Sequence, residues 1–175
     1  MAALEAGAQA PDFTLKDSDS QPHSLDSLKQ DGLLLAAFYK VGCGTCKFSA
    51  PYFEKFYQAY KDKAGFQFWG VSQDTAEDTS AYMEEYNASF PNLLDETYWT
   101  SADYGLTNVP TLFLVNKDGE ILQSSVGFSR EDMNTMSEAV AGHLGEETVI
   151  ISPPDDGAPD LKPGWGSKQA VEPRP

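Results

Sequence analysis

The sequence predicts an α/β fold, a mixed central sheet with helices on both faces, on the strength of three features. Two strand-length runs, residues 33–39 and 66–72, are largely apolar, as strands buried on both faces must be. Each is followed by a segment whose apolar residues recur at three and four, the period of a crossover helix. Residues 111–126 then read as two extended runs around the turn Lys117-Asp118-Gly119, an antiparallel hairpin that closes the sheet. Such an order gives three layers, with ligands expected at the C-terminal ends of the parallel strands.

The elements follow in order. Phe13 and Leu15 alternate with polar residues in a short edge strand, and the polar run Asp17 to His23 reads as a hairpin-like loop. Residues 24–28 make a brief helical turn before the first central strand at 33–39. From Gly44 to Ala64, Phe48, Tyr52, Phe53, Phe56, Tyr57 and Tyr60 form one apolar stripe of a helix, a stripe that belongs to the core. Pro51 lies inside that helix and removes one backbone hydrogen bond. After the strand at 66–72, Thr75 and Asp78 resemble a capping box for a helix that ends near Asn87. Leu93-Leu94 is a short strand, and residues 101–104 a helical turn stopped by Gly105. Ser129 and Asp132 repeat the cap for a last helix through Met133, Met136, Val140 and Leu144, closed by Gly145.

The domain predicted here covers residues 1–145. Residues 151–175 hold six of the eleven prolines, with Ile151, Leu161, Trp165 and Val171 as the sizeable apolar residues. Residues 146–175 therefore read as an extended or disordered tail that docks at most locally, through Leu161 and Trp165. Of the 175 residues, 27 are Asp or Glu against 12 Lys or Arg, a formal net charge of -15. That excess disfavours nucleic acid and anionic membranes as partners. Glu5 and the lack of a basic N-terminal run do not match a secretory leader, so a soluble, cytoplasmic protein is the expectation.

Both cysteines stand together, as Cys43-Gly44-Thr45-Cys46. A loop that short confers little stability when bridged, so the pair points to redox chemistry rather than to a structural staple. Cys43 falls at the end of the first central strand and the start of the following helix, where unpaired N–H groups and the helix dipole favour a thiolate. Lys40 is a second-tier candidate for lowering the thiol pKa. Cys46, one turn on, would then resolve a mixed disulfide formed at Cys43. His23 and His143 have no ligand spacing, so neither a metal nor another cofactor is expected.

The run from Phe38 through Cys43-Gly44-Thr45-Cys46 to Pro51 resembles the active-site strand, CxxC and helix of thioredoxin-like proteins, and Val109-Pro110-Thr111 resembles their cis-proline element. Ala10-Pro11-Asp12-Phe13-Thr14-Leu15 and Gly70-Val71-Ser72-Gln73-Asp74 are similar to the AhpC/TSA-redoxin branch, which includes peroxiredoxins and TlpA/ResA-type reductases. The resemblance spans roughly residues 8–145 and implies a thioredoxin-like fold, a cis bond at Pro110, and a Val109 backbone free to pair with a substrate strand. Gly42, Gly44, Thr45, Val109 and Pro110 are thereby candidate substrate-binding residues. It implies a thiol-disulfide oxidoreductase acting on protein or small-molecule disulfides, served by a reducing partner.

The sequence departs from these family patterns in places. Gly42 replaces the Trp common before the first Cys of thioredoxins, Gly44-Thr45 replaces Gly-Pro, and Ser49 stands where ResA-type proteins carry Glu. In a peroxiredoxin the loop Pro-x-x-x-Thr/Ser-x-x-Cys binds peroxide; here Tyr39 and Cys43, or Ala36 and Lys40, occupy those positions. The missing loop residues argue against peroxidase activity, which is the first alternative; a non-catalytic redox-sensing or interaction module is the second.

Overall fold

The protein is described by a computed structural model covering residues 2–170 and 172–175, so Val171 lies outside the described residues. The first central strand is β3 (Leu33–Tyr39), with β1 (Thr14–Asp17), β2 (Pro22–Ser24) and α1 (Leu25–Lys29) before it. After it come α2 (Gly44–Tyr60), β4 (Phe66–Ser72), α3 (Ala76–Glu85), β5 (Asn92–Leu94) and α4 (Trp99–Asp103). The chain continues through β6 (Asn108–Val109), β7 (Thr111–Val115), β8 (Ile121–Val126), β9 (Phe128–Ser129) and α5 (Arg130–Leu144). Two short strands, β10 (Leu161–Lys162) and β11 (Trp165–Gly166), lie in the tail.

Seven strands form one mixed sheet in the order β2-β1-β5-β4-β3-β7-β8. β3 and β4 pair in parallel along their whole length, from Leu33 opposite Phe66 to Tyr39 opposite Ser72. β7 lies antiparallel on the other side of β3 and begins the predicted hairpin with β8. All seven residues of β3 are buried, as its unbroken apolar run requires.

Aromatic side chains bind the layers together. Phe53 and Phe56 of α2 pack on Phe68, while Tyr39 stacks on Tyr82 of α3 at 4.9 Å. On the other face, Phe38 and Phe113 meet Tyr104, which follows α4. Helices therefore cover both faces, and the fold is thioredoxin-like. No helix among the described residues is long and apolar enough to cross a membrane.

Several boundaries differ from the sequence reading for local reasons. Part of the expected loop before His23 is strand β2, because the Asp17 carboxylate accepts the N–H groups of Asp19 and Gln21 and closes a tight turn. α2 ends at Tyr60 rather than Ala64, since Leu33 N–H must reach the Gly65 carbonyl and the backbones cross there. A Cβ on Gly32 would lie 2.1 Å from the Gly65 oxygen, so the crossing requires glycine. α4 starts at Trp99 because the buried Asp95 carboxylate takes the N–H groups of Thr100 and Ser101.

Residues 146–170, expected as an extended or disordered tail, run along the domain and are held at named points. Ile151 is fully buried, and Asn134 bonds the backbone of Ile151 and Ser152. Arg130, largely buried, contacts Asp156 and Asp160 and the carbonyls of Pro153 and Ala158. Composition does not show these contacts, because polar side chains of α5 and α2 supply many of the tail's partners. Leu161 does not dock by its side chain, which stays exposed; its strand pairs with β9 through backbone.

Candidate active site

β3 delivers the chain to the C-terminal edge of the parallel strands, where it turns through residues 40–42 into α2. Asp74, just past β4, fixes that turn by accepting the Val41 N–H at 2.8 Å. Cys43 is the N-cap of α2, and its Sγ accepts the Cys46 N–H at 3.1 Å. A side chain normally caps a helix with oxygen; here the sulfur takes that place and so meets the positive end of the helix. Tyr82 of α3 donates to the Cys46 carbonyl at 2.8 Å and steadies the first turn.

Both cysteines are free thiols and fully buried. The Cys46 thiol donates to Cys43, and with the N–H groups of Cys46, Trp165 and Thr45 it lowers the Cys43 pKa to about 6 against the opposing effect of burial. Burial pushes the Cys46 thiol far above its ordinary value, and its bond to the Cys43 sulfur holds its proton further. One thiol is therefore an anion at neutral pH and its neighbour a proton-bearing donor. Alkylation of Cys43 by iodoacetamide is expected to rise with pH through a midpoint near 6 and to level off by neutrality, because only the thiolate attacks. Peptide mass mapping of Cys43 across pH 4–10 checks this; a midpoint near the roughly 8.5 of a free thiol contradicts it.

The structure brings most of the sequence candidates together. Val109-Pro110 is a cis peptide, and the Cys43 sulfur lies 3.4 Å from the Val109 carbonyl oxygen. Gly42 is exposed with open space around its Cα, whereas a Cβ on Gly44 would lie 2.7 Å from the Trp165 ring. Thr45 is buried and its hydroxyl donates to the Pro163 carbonyl at 2.5 Å. Lys40 is placed differently from its expected role: its ammonium bonds the Gly166 carbonyl, and its charge favours ionisation of Cys46 rather than Cys43. Nor is the Val109 backbone free, because β11 pairs with β6, Trp165 opposite Val109.

Sequence reasoning missed Gln73, Asp74, Ser167 and Lys168. Gln73 donates to Ser167 at 2.9 Å, and the Lys168 ammonium meets Asp74 at 2.5 Å. Gln73-Asp74 was visible only as a strand end, and nothing in the spacing linked it to residues more than ninety positions away.

Comparison with known proteins agrees with this geometry. The AhpC/TSA family model matches residues 6–124. Thiol-disulfide oxidoreductase ResA of Halalkalibacterium halodurans is 32% identical over 129 residues, covering 73% of this chain and 72% of its own. ResA of Bacillus anthracis is 28% identical over 125 residues, 71% of each chain. The crystal structure of the thioredoxin domain of a thiol-disulfide oxidoreductase from Bacteroides vulgatus superposes with a TM-score of 0.69 at 30% identity, covering 79% of this chain and 99% of that domain. With a CxxC pair whose first sulfur caps the helix, the chain belongs to the AhpC/TSA family and is a thiol-disulfide oxidoreductase.

Proposed function

We propose that this enzyme reduces substrate disulfides with Cys43 as the attacking thiolate and Cys46 as the resolving thiol. The observation that carries the assignment is the asymmetry of the pair: Cys43 receives the hydrogen bonds and Cys46 donates. The Cys43 thiolate attacks one substrate sulfur, the substrate S–S bond breaks, and the departing thiolate takes a proton from solvent. Once Cys43 is in the mixed disulfide, its negative charge no longer holds the Cys46 proton, and the Lys40 ammonium favours loss of that proton to solvent. The Cys46 thiolate then attacks the Cys43 sulfur and expels the second substrate thiolate, which is protonated in turn. Two electrons pass from the dithiol to the substrate, leaving a Cys43–Cys46 disulfide that an external dithiol must reduce.

The lowered Cys43 pKa also bears on direction. Stabilising the thiolate stabilises the reduced form, which shifts the couple in the more oxidising direction. Exposed or strained disulfides are the fitting substrates, since those are the more readily reduced. The test is steady-state turnover on insulin disulfides and, in parallel, on hydrogen peroxide, each with dithiothreitol as reductant. Many turnovers on insulin, little on peroxide, and loss of insulin turnover in Cys43→Ser are expected. Full turnover in Cys43→Ser, or faster consumption of peroxide than of insulin, overturns the reading.

A further inference from the structure

Cys43 must meet a substrate sulfur in line, yet with the chain folded as described it has no exposed surface. What covers it is the tail. β11 lies antiparallel on β6, the Trp165 N–H points to the Cys43 sulfur, and the Trp165 ring rests on Gly44. Pro163 on one side is held by the Thr45 hydroxyl, and Gly166 on the other by the Lys40 ammonium. Beyond that, Ser167 N–H bonds the Thr107 carbonyl, and Lys168 pairs with Asp74. The edge nearest the sulfur is thus filled by the chain's own backbone.

We propose that residues 163–168 form an autoinhibitory strap, an internal competitor for the edge that a disulfide-bearing segment must use, so that Cys43 reacts only from a strap-open state. The inference rests on Cys43 being the nucleophile. The fold suits a strap that opens without unfolding. Its pairing is two residues long, the Trp165 side chain stays half exposed, and the preceding stretch remains tethered at Arg130. Release therefore breaks the strap's contacts with Thr45, Lys40, Gln73, Asp74 and β6 while the tether at Arg130 stays in place. Two of the positions that hold the strap do so by independent means and outside the catalytic pair. Gly164 packs so closely that a Cβ would lie 2.6 Å from the Val109 oxygen, which is backbone and cannot yield. Lys168 carries the ion pair at the far end.

The same open state serves every reagent, so opening the strap must raise all reactions of Cys43 by one common factor, the gain in open population. The experiment compares the full-length protein with Gly164→Val and, as a second variant that leaves backbone packing alone, Lys168→Ala. Two rates are measured at pH 7: alkylation of Cys43 by iodoacetamide, and kcat/KM for insulin reduction. Gly164→Val is expected to raise both by about 10-fold or more and by the same factor, with Lys168→Ala raising both to a smaller, again equal, extent. Unchanged alkylation in both variants overturns the proposal, because the strap then does not limit access. Faster alkylation with slower insulin turnover also overturns it, because β11 is then part of the substrate site rather than a competitor. Insulin turnover that survives Cys43→Ser refutes the nucleophile assignment instead, a result distinguishable from either.

Discussion

A pre-reduced Cys46→Ser variant, freed of external reductant, is expected to consume one equivalent of substrate disulfide and then stop, held as a mixed disulfide on Cys43. Attack needs only the Cys43 thiolate, whose stabilising contacts include the N–H groups of Cys46 and Thr45, and neither of these depends on the Cys46 sulfur. A serine hydroxyl can still donate to the thiolate, so the first step survives. Resolution requires a second sulfur, and Cys43 and Cys46 are the only two cysteines in the chain. In the dithiothreitol-driven assay the second step then falls to the slower external thiol, and kcat on insulin should fall by about 10³-fold or more. Mass spectrometry of the stalled reaction should find an insulin chain on Cys43, released by excess dithiothreitol. Sustained turnover, or stalled protein without such an adduct, would mean that Cys46 does not resolve the intermediate.

The second large effect is on stability. Phe113→Ala is expected to destabilise the protein by about 3–5 kcal/mol, because a fully buried ring is lost from a site that cannot collapse around the gap. Phe113 stands edge-on to Phe38 at 5.6 Å and to Tyr104 at 5.1 Å, the contact by which β3, β7 and the end of α4 are joined. For a chain of this size that corresponds to a fall of about 6–20 °C in Tm, read by circular dichroism or calorimetry on the reduced protein. Val126→Ala, at a side chain 48% exposed, should change stability by no more than about 0.5 kcal/mol. Similar small shifts for the two variants would show that the aromatic contact does not hold these elements together. Since β7 begins directly after Pro110, loosening it should also disturb the site.

Much of the scaffold was legible because it is specified locally. The run at 33–39 is apolar at every position and became a strand buried on both sides. The caps at Thr75 and Ser129 were readable because a hydroxyl and an N–H three residues on need no distant partner, and both form at 3.1 Å. Strands of two residues were not legible, although the three-residue β5 was read from Leu93-Leu94. β6, β9, β10 and β11 carry too few residues to show a period, and their pairing depends on what lies across from them.

The reacting atoms were determined by the chain alone: two cysteines three apart at a strand-to-helix junction place a sulfur on a helix N-terminus wherever that helix packs. Which charge acts on which thiol, and what lies over them, were decided in three dimensions. Lys40 is near Cys43 in sequence, yet its ammonium is drawn to the Gly166 carbonyl. Trp165, 122 residues beyond Cys43, lies against the CxxC because Arg130 and Asn134 on α5 and Asp74 beyond β4 hold the tail on its course. Neighbouring positions and repeating periods encode interactions within an element, whereas a hydrogen bond between distant segments leaves no such pattern. The geometry that brings its two ends together exists only once the intervening chain has folded.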